Sequence, residues 1–339
     1  MHEAVILLWV TIAVALAFDF TNGFHDTANA IATSISTRAL SPQAAVLLAA
    51  VFNLIGAVVT VAFFQAKVSN TIASTLAIKP GLVVVMAALL GAISWNLITW
   101  YLGLPSSSTH ALIGGLCGAG IAAAGGLDGV KWSALGKQVA SLVISPPIGF
   151  VAAGAFAIIL TLVIFRLGLR PAPVNRTFRS LQVLTSAFLS YSHGANDAQK
   201  TMAAITLALV AAGQIPKFQV PLWVVVLSAV AIAFGTYAGG WRIIRTLGWS
   251  ILKLEPATGM SAQLMGAIVI QGATLVGLPV STTHVITGSV MGVGASRKLS
   301  AVRWGLGANI AAAWVVTIPA SAVIAWVAFA ILHTAGLRG

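Results

Sequence analysis

Charge is what this sequence has least of. Only 7% of its 339 residues are Asp, Glu, Lys or Arg, whereas about 25% is ordinary in a soluble domain. Hydrophobic residues make up 59% of the chain, and apolar runs of roughly 20 residues, the length a helix needs to cross a bilayer, recur along it. This balance excludes an ordinary soluble protein. It predicts an all-α polytopic protein of the cytoplasmic membrane, with the lipid bilayer as its surroundings.

Cysteine is almost absent, and acidic residues are few. The one cysteine, Cys117, excludes an intramolecular disulfide. The 18 Lys and Arg give a net charge of +12 against six Asp and Glu, but they are dispersed over short loops, as the positive-inside rule requires. We therefore expect no nucleic-acid partner. No spacing of His, Cys and carboxylates matches a closed zinc site, and we expect no cofactor.

Two of the rare carboxylates form a repeated pair. Asp26 lies in a polar interruption, residues 19–29, which directly follows an apolar run. Asp197 occupies the same place in a second version, 171 residues later. A carboxylate in apolar surroundings is costly, so a repeated one predicts a functional site.

The rest of the chain repeats in the same order. Leu-Pro-x-Ser-x-Thr-His occurs at 104–110 and 278–284, and Gly-Ala-Ile precedes each copy at 91–93 and 266–268. Internal duplication of this kind is common in secondary transporters. We predict repeats at 1–165 and 178–339, joined by a basic cytoplasmic linker at 166–177.

The basic residues predict how the copies are oriented. If the linker is cytoplasmic, the loop with Arg242, Arg245 and Lys253 is also cytoplasmic. Each half then makes three crossings and one re-entrant helical hairpin, and the odd number makes the copies inverted. Hairpin limbs that span fully are the alternative, so we expect about 10–12 membrane segments. Pro146-Pro147 should kink or split the long helix that contains it.

Each half also holds a broken helix in this prediction. Gly23 and Gly194 stand beside the two Asp motifs and would let the chain unwind there, which frees backbone carbonyls as ligands.

The spacing after Leu-Pro, which is the same in both copies, places hydroxyl side chains at a helix start. A helix N-terminus presents free N–H groups and the positive end of the dipole, which bind anions. Two such termini in inverted halves can meet near the midplane and hold an oxyanion between neutral donors. Helix N-capping is the alternative. The candidate ligands of the anion are Ser107, Ser108, Thr109, Ser281, Thr282 and Thr283.

An anion alone needs no carboxylates, which would repel it. Asp26 and Asp197 therefore suggest ligands for a coupling cation or a metal ion, or carriers of protons. Asn22, Asn29 and Asn196 would add amide oxygens. Structural pairing of the carboxylates with Lys200 is the alternative. The four histidines at 25, 110, 193 and 284 are expected to hydrogen-bond at the motifs, or to titrate during transport.

These motifs together resemble the inorganic phosphate transporter (PiT) family. The resemblance rests on Gly-Phe-His-Asp-Thr-Ala-Asn at 23–29, Gly-Ala-Asn-Asp at 194–197 and the two Leu-Pro-x-Ser-x-Thr-His stretches. It implies symport of inorganic phosphate with H⁺ or Na⁺, in some bacterial members as a metal–phosphate complex. It also implies an inverted-repeat fold, an elevator-like motion and a homodimer.

Two departures from the family pattern bear on the coupling ion. His25 replaces the Asn of the Gly-Ala-Asn-Asp form, and Lys200 stands where the second copy would repeat Asn29. A charged lysine cannot ligate Na⁺, but it can pair with Asp197 or attract phosphate. The pattern therefore favours H⁺ as the coupling ion and includes Lys200 among the phosphate ligands.

Three other functions are weaker predictions. A sulfate symporter fits the same donors, because any tetrahedral oxyanion does. An intramembrane enzyme does not fit, since a nucleophile, base and orienting group normally occur once each, whereas these residues are duplicated. A passive anion channel would be obstructed by paired carboxylates at its midplane.

Overall fold

The computed structural model describes residues 2–168, 170–246 and 254–337, and within these the protein is helical, without a β-sheet. The helices are α1 (His2–Ser36), α2 (Pro42–Phe64), α3 (Lys67–Ala73), α4 (Leu82–Tyr101), α5 (Ser108–Ala124), α6 (Trp132–Arg166), α7 (Pro171–Ala211), α8 (Leu222–Ala238), α9 (Trp241–Arg245), α10 (Pro256–Leu275), α11 (Thr282–Arg297) and α12 (Trp304–Thr334). The all-α prediction is confirmed. Lys253, assigned above to a cytoplasmic loop, lies outside the described residues.

The two halves pack on each other reciprocally. Helix α1 packs on α8 while α2 packs on α7, and α5 packs on α12 while α6 packs on α11. In each half a short helix (α3 or α9) precedes a helical hairpin, α4–α5 or α10–α11. Reciprocal contacts are what a two-fold relation between repeats produces. The repeat boundaries and the inverted orientation stay predictions.

The predicted break at the Asp motifs is wrong. Helices α1 and α7 run continuously through Asp26 and Asp197. A Cβ on Gly23 would lie 2.3 Å from the carbonyl oxygen of Ile232, and one on Gly194 would lie 2.1 Å from that of Asn53. These glycines therefore allow close helix packing, as small residues do inside membranes, and they do not unwind the chain.

Helix α6 is also continuous, so the prediction that Pro146-Pro147 splits it is wrong. Both prolines lie inside the helix. Helix α11 packs against this stretch through its own glycines, because a Cβ on Gly288 would lie 2.5 Å from the carbonyl oxygen of Pro146. The glycine lets the neighbouring helix pack directly on the proline-containing stretch, as small residues do inside membranes.

The predicted linker at 166–177 is mostly helical. Helix α6 ends at Arg166 and α7 begins at Pro171, so only a short connection separates the two halves. Arg176 and Arg179 are exposed on the first turns of α7. The basic cluster is therefore carried on a helix rather than on a loop.

By length and composition, five of the described helices can cross a membrane: α1, α2, α4, α6 and α12, with α5 and α8 as shorter apolar helices. Helices α6 and α12 carry exposed apolar side chains such as Val151, Phe165 and Val315. Lipid-facing surfaces have this character. The count of 10–12 segments stays a prediction.

The hairpin tips are held from outside by reciprocal contacts. At each short helix, a basic residue and a threonine four residues later donate hydrogen bonds to backbone carbonyls of the other half. These carbonyls lie at the end of the first hairpin helix. Lys67 and Thr71 donate to Leu275 and Gly277, and Arg242 and Thr246 donate to Tyr101 and Gly103. Capping of this kind satisfies helix-end carbonyls and positions both tips at the centre of the protein.

Candidate functional site

Each hairpin turns into its second helix through a serine cap. The Ser107 hydroxyl accepts a hydrogen bond from the backbone N–H of His110 at 3.2 Å, and Ser281 does the same for His284 at 3.2 Å. Both helices start at the hydroxyl-rich stretches, and the hydroxyl oxygens of Ser107 and Ser281 act as N-caps, which is the alternative given above for these two residues. Their O–H groups stay available to donate.

The two helix starts meet. The Thr109 hydroxyl donates to the carbonyl oxygen of Val280 at 3.1 Å, which joins the tip of one hairpin to the other. The rings of His110 and His284 lie 4.6 Å apart between their centroids. The structure thus brings together the two hydroxyl-rich stretches that the sequence repeats.

Asp26 lies where both hairpins converge. Its carboxylate accepts hydrogen bonds from the Ser108 hydroxyl at 2.9 Å and from the Thr283 hydroxyl at 3.3 Å. His25 Nδ1 is 2.6 Å from the same carboxylate. One carboxylate therefore binds a donor from each hairpin, and all four residues are buried.

Asp197 is surrounded differently. Its Oδ2 atom lies 2.9 Å from the Lys200 ammonium, 3.3 Å from His193 Nε2 and 3.4 Å from the Thr282 hydroxyl. Its Oδ1 atom has no hydrogen-bond partner in the described part of the chain. A buried carboxylate with one satisfied oxygen has capacity for a further donor.

Lys200 links the two carboxylates. Its ammonium also donates to the Ser108 hydroxyl at 2.7 Å, and that hydroxyl donates to Asp26. Lys200 is 1% exposed, so its charge is balanced inside the protein by Asp197 and not by solvent. The expected pairing of Lys200 with Asp197 is thus present, and one serine connects it to the first motif.

The three asparagines occupy different places. Asn29 donates to the hydroxyls of Thr283 at 2.9 Å and Thr282 at 3.3 Å, so it belongs to the cluster. Asn196 donates to Thr274 on α10 at 2.8 Å instead. Asn22 is buried, and neither of its amide atoms has a hydrogen-bond partner among the described residues. Only Asn29 directly contacts the hydroxyl groups at the hairpin tips.

The carboxylates and one histidine lie close enough together to hold a metal ion. Ligand atoms of Asp26, His193 and Asp197 all lie within 4.8 Å of one another. His193 Nδ1 is 3.0 Å from the amide oxygen of Asn53, which makes Nδ1 the donor and directs Nε2 towards Asp197. Our prediction gave His193 no ligand role, although its spacing of four residues from Asp197 places both on one helix face.

Comparison with known proteins identifies the family of this chain. The model of the phosphate transporter family matches residues 22–325, which include both Asp motifs and both hairpins. The chain belongs to the phosphate transporter family. It is therefore a multi-pass membrane transporter of phosphate and not an enzyme, as predicted.

Individual relatives agree with this assignment over nearly the full chain. A probable low-affinity inorganic phosphate transporter of Rhizobium meliloti (strain 1021) is 51% identical, with 94% of each chain covered. One of Bacillus subtilis (strain 168) is 47% identical, covering 97% of this chain and 98% of its own. A solved structure of a sodium-dependent phosphate transporter superposes with a TM-score of 0.87 at 25% identity, covering 97% of this chain and 99% of that one.

Proposed function

We propose that this member of the phosphate transporter family is a symporter that carries inorganic phosphate together with protons. The observation that carries the proposal is the charge balance of the buried cluster. Counted as ionised, Asp26, Asp197 and Lys200 hold one net negative charge, and the buried Asp19, which interacts electrostatically with Lys200 and Asp197, adds no positive charge to the site. Adding a phosphate anion to that site is strongly unfavourable in a low-dielectric interior unless a proton or a cation enters with it.

Lys200 supports protons over sodium as the coupling ion. Its ammonium occupies the position between Asp197 and Ser108 where oxygen ligands of a cation would converge. A site already filled by a fixed positive charge does not need, and disfavours, a second monovalent ion. Sodium remains the alternative at Asp26, because the structural neighbour is a sodium-dependent transporter.

The hydroxyls at the hairpin tips suggest how proton and phosphate binding are coupled. Ser108 and Thr283 now donate to the Asp26 carboxylate. Protonation of Asp26 would remove its negative charge and weaken both hydrogen bonds, since charge-assisted bonds are about twice as strong as neutral ones. The freed hydroxyls, with Thr282 and the Lys200 ammonium, could then donate to phosphate oxygens.

Phosphate fits this cluster better than sulfate does. At neutral pH inorganic phosphate carries a P–O–H group, whereas sulfate can only accept hydrogen bonds. The unpartnered Oδ1 atom of Asp197 is an acceptor that phosphate could satisfy and sulfate would repel. Uptake blocked by sulfate but not by excess phosphate would contradict the assignment of the substrate.

A metal–phosphate complex is a second candidate substrate. The grouping of Asp26, His193 and Asp197 favours it, because carboxylate and imidazole ligands suit divalent ions and a phosphate could complete the coordination. In that case phosphate uptake should require Mg²⁺ or a similar ion, and chelation should abolish it.

Proteoliposomes with imposed gradients test the proposal. Labelled phosphate should accumulate when the outside is acidic, with or without Na⁺. The His193→Gln variant should keep this uptake if the metal group is not used, and should lose most of it, or need a higher concentration of divalent ions, if the substrate is a metal–phosphate complex. Accumulation that follows a Na⁺ gradient and ignores a pH gradient would contradict proton coupling.

A further inference from the structure

A network of buried polar side chains, joined by hydrogen bonds between helices, extends from the carboxylate pair towards one end of the protein. On α1 they follow Asp26, and on α7 they precede Asp197, at intervals of three or four residues that keep them on one helix face. All are at most 8% exposed. They are Asn29, Thr33 and Ser34 on α1, Thr37 directly after it, and Gln182, Thr185, Ser186, Ser190 and His193 on α7.

The two polar faces are in direct contact. The hydroxyls of Ser34 and Ser186 hydrogen-bond to each other across the helix pair. One turn further from the carboxylates, the Thr37 hydroxyl donates to Gln182 Oε1 at 2.6 Å. The end of α1 and the start of α7 are therefore joined by neutral hydrogen bonds.

Gln263 of α10 closes the third side. Its Nε2 atom lies 2.7 Å from the Thr33 hydroxyl, 2.5 Å from that of Ser34 and 2.9 Å from that of Ser186. Its Oε1 atom accepts from Thr185 at 2.7 Å. One amide nitrogen has two hydrogens for these three oxygens, so the network has several equivalent arrangements. We name the set Thr33, Ser34, Thr37, Gln182, Thr185, Ser186 and Gln263 the polar gate.

At the other end of the same helices, Asp19, Asn22, Thr201 and Thr206 are buried, but the positions equivalent to the polar gate are apolar except for one threonine. Shifting the polar-gate positions by the repeat offset of 171 leads to Ala204, Ile205 and Ala208 on α7, and to Val14 and Ala15 on α1, all within one apolar cluster. Thr11, the counterpart of Gln182, keeps a hydroxyl but donates it to its own helix at Leu7. The repeat fold itself therefore does not require the polar gate.

The two ends differ in what it takes to open them. Parting the apolar positions at the other end would expose hydrocarbon side chains to water, which is unfavourable in proportion to the area exposed. Parting the polar gate exchanges protein hydrogen bonds for hydrogen bonds to water, which changes the free energy little. Gln182 Nε2, which has no hydrogen-bond partner within the described residues, would gain one.

We propose that the polar gate is the passage through which phosphate moves between the carboxylate site and the side on which α1 ends. Its uncharged hydroxyl and amide donors can replace the hydration shell of a tetrahedral oxyanion without trapping it as fixed cations would. Arg38, exposed immediately after α1, places this mouth on the predicted cytoplasmic side. The inference rests on the proposed phosphate transport.

A reversible cross-link tests the passage. The variant Ser34→Cys with Ser186→Cys, in a Cys117→Ala background, places two thiols where two hydroxyls now touch. Oxidation should reduce phosphate uptake about tenfold or more, because a closed gate becomes rate-limiting, and dithiothreitol should restore it. The single cysteine variants serve as controls and should not respond. Equal uptake by the oxidised and reduced protein overturns the passage.

A second variant keeps the proposal testable if the double cysteine fails to fold. Gln263→Leu removes the bridging amide and makes the gate drier, so uptake should fall severalfold while phosphate still protects the solubilised protein against thermal unfolding. The matched control is Thr11→Val at the other end of these helices, which should transport normally. Normal uptake per folded Gln263→Leu molecule would mean that the network only holds the helices together. If the wild-type protein itself takes up no phosphate, the symport proposal fails. If the wild type transports phosphate and the Gln263→Leu variant does so equally well, only the gate proposal fails.

Discussion

The two Asp motifs start from similar sequences and end in different surroundings. Three residues after Asp26 stands Asn29, which donates to the hydroxyls at the start of α11. Three residues after Asp197 stands Lys200, whose ammonium binds that carboxylate directly at 2.9 Å. One motif is thus surrounded by neutral donors and a histidine, and the other carries its own counter-charge.

This difference assigns unequal roles to the two carboxylates. The charge of Asp197 is balanced whether or not an ion is bound, whereas that of Asp26 depends on hydroxyls and on His25. We infer that Asp26 is the carboxylate that changes state during transport and that Asp197 anchors Lys200. Variants that change one motif at a time can test whether the two carboxylates have unequal roles.

The largest effect is expected from neutralising each carboxylate in turn. Asp26→Asn should abolish proton-driven phosphate uptake but leave a stable protein, because no lysine or arginine pairs directly with this carboxylate and the amide oxygen of Asn can still accept a hydrogen bond from Ser108. Asp197→Asn should abolish uptake and also destabilise the fold by about 3–5 kcal/mol, because it leaves the Lys200 ammonium buried and unpaired. Uptake in proteoliposomes and thermal unfolding in detergent measure the two effects.

Equal thermal stability of the two variants would contradict the asymmetry. Wild-type uptake by Asp26→Asn would contradict the role of Asp26 as the titrating group. Membrane insertion, followed by yield of the tagged protein in the membrane fraction, provides the control for both variants.

The next effect concerns the residue that distinguishes the motifs. Lys200→Asn makes the second motif repeat the first and empties the position between Asp197 and Ser108. We expect phosphate uptake to become dependent on Na⁺, since oxygen ligands would then surround a cation-sized position. Measuring uptake against Na⁺ concentration tests this. The control is Lys200→Met, which removes the positive charge without adding an oxygen ligand.

If Lys200→Asn loses all transport at every Na⁺ concentration while remaining folded, the lysine contacts phosphate directly. The ammonium would then act as a substrate ligand, as the sequence suggested, and would not substitute for a coupling ion.

The sequence was sufficient for the parts of the site that repeat. Order and spacing predicted two hairpins whose second helices begin at hydroxyl-rich stretches, and both Ser107 and Ser281 cap those helices. The same repetition predicted that Asp26 and Asp197 belong to one site. These features are local or duplicated, so they can be recognised without knowing the packing.

What could not be predicted depends on tertiary contacts. Gly23 and Gly194 suggested unwinding, because glycine fits both a broken helix and a close helix contact; only the positions of Ile232 and Asn53 decide between them. The polar gate was missed for the same reason. A serine or threonine in a membrane helix usually bonds its own backbone, and no local signal shows that Ser34 and Ser186 face each other.

A smaller effect on stability and transport is expected from filling a close helix contact beside the second Asp motif. Gly194→Ala would push α7 away from Asn53, whose amide oxygen orients His193 beside Asp197. We expect a loss of about 1–3 kcal/mol in stability, typical of an overpacked contact, together with weaker transport. Gly136→Ala on α6, where an added Cβ meets nothing within 4 Å, is the control for thermal unfolding. Unchanged stability of Gly194→Ala would show that the helices can separate freely.

The smallest effect compares two threonines at equivalent places in the hairpins. The Thr283 hydroxyl lies between Asp26 and Asn29, whereas the Thr109 hydroxyl donates to the backbone of Val280. A hydroxyl has one hydrogen to donate, so Thr109 cannot donate to phosphate unless it releases the Val280 carbonyl.

We expect Thr283→Ala to raise the KM for phosphate about five- to tenfold, which corresponds to one lost hydrogen bond of about 1 kcal/mol or slightly more. Thr109→Ala should change the KM less than twofold, because the hydrogen bond of Thr109 does not reach the ligand. Initial rates of uptake measured over a range of phosphate concentrations separate KM from the maximal rate. An equal rise in both variants would mean that Thr109 turns from Val280 to phosphate on binding, so that the two hairpins contribute symmetrically to the anion even though the two Asp motifs do not contribute symmetrically to the cation.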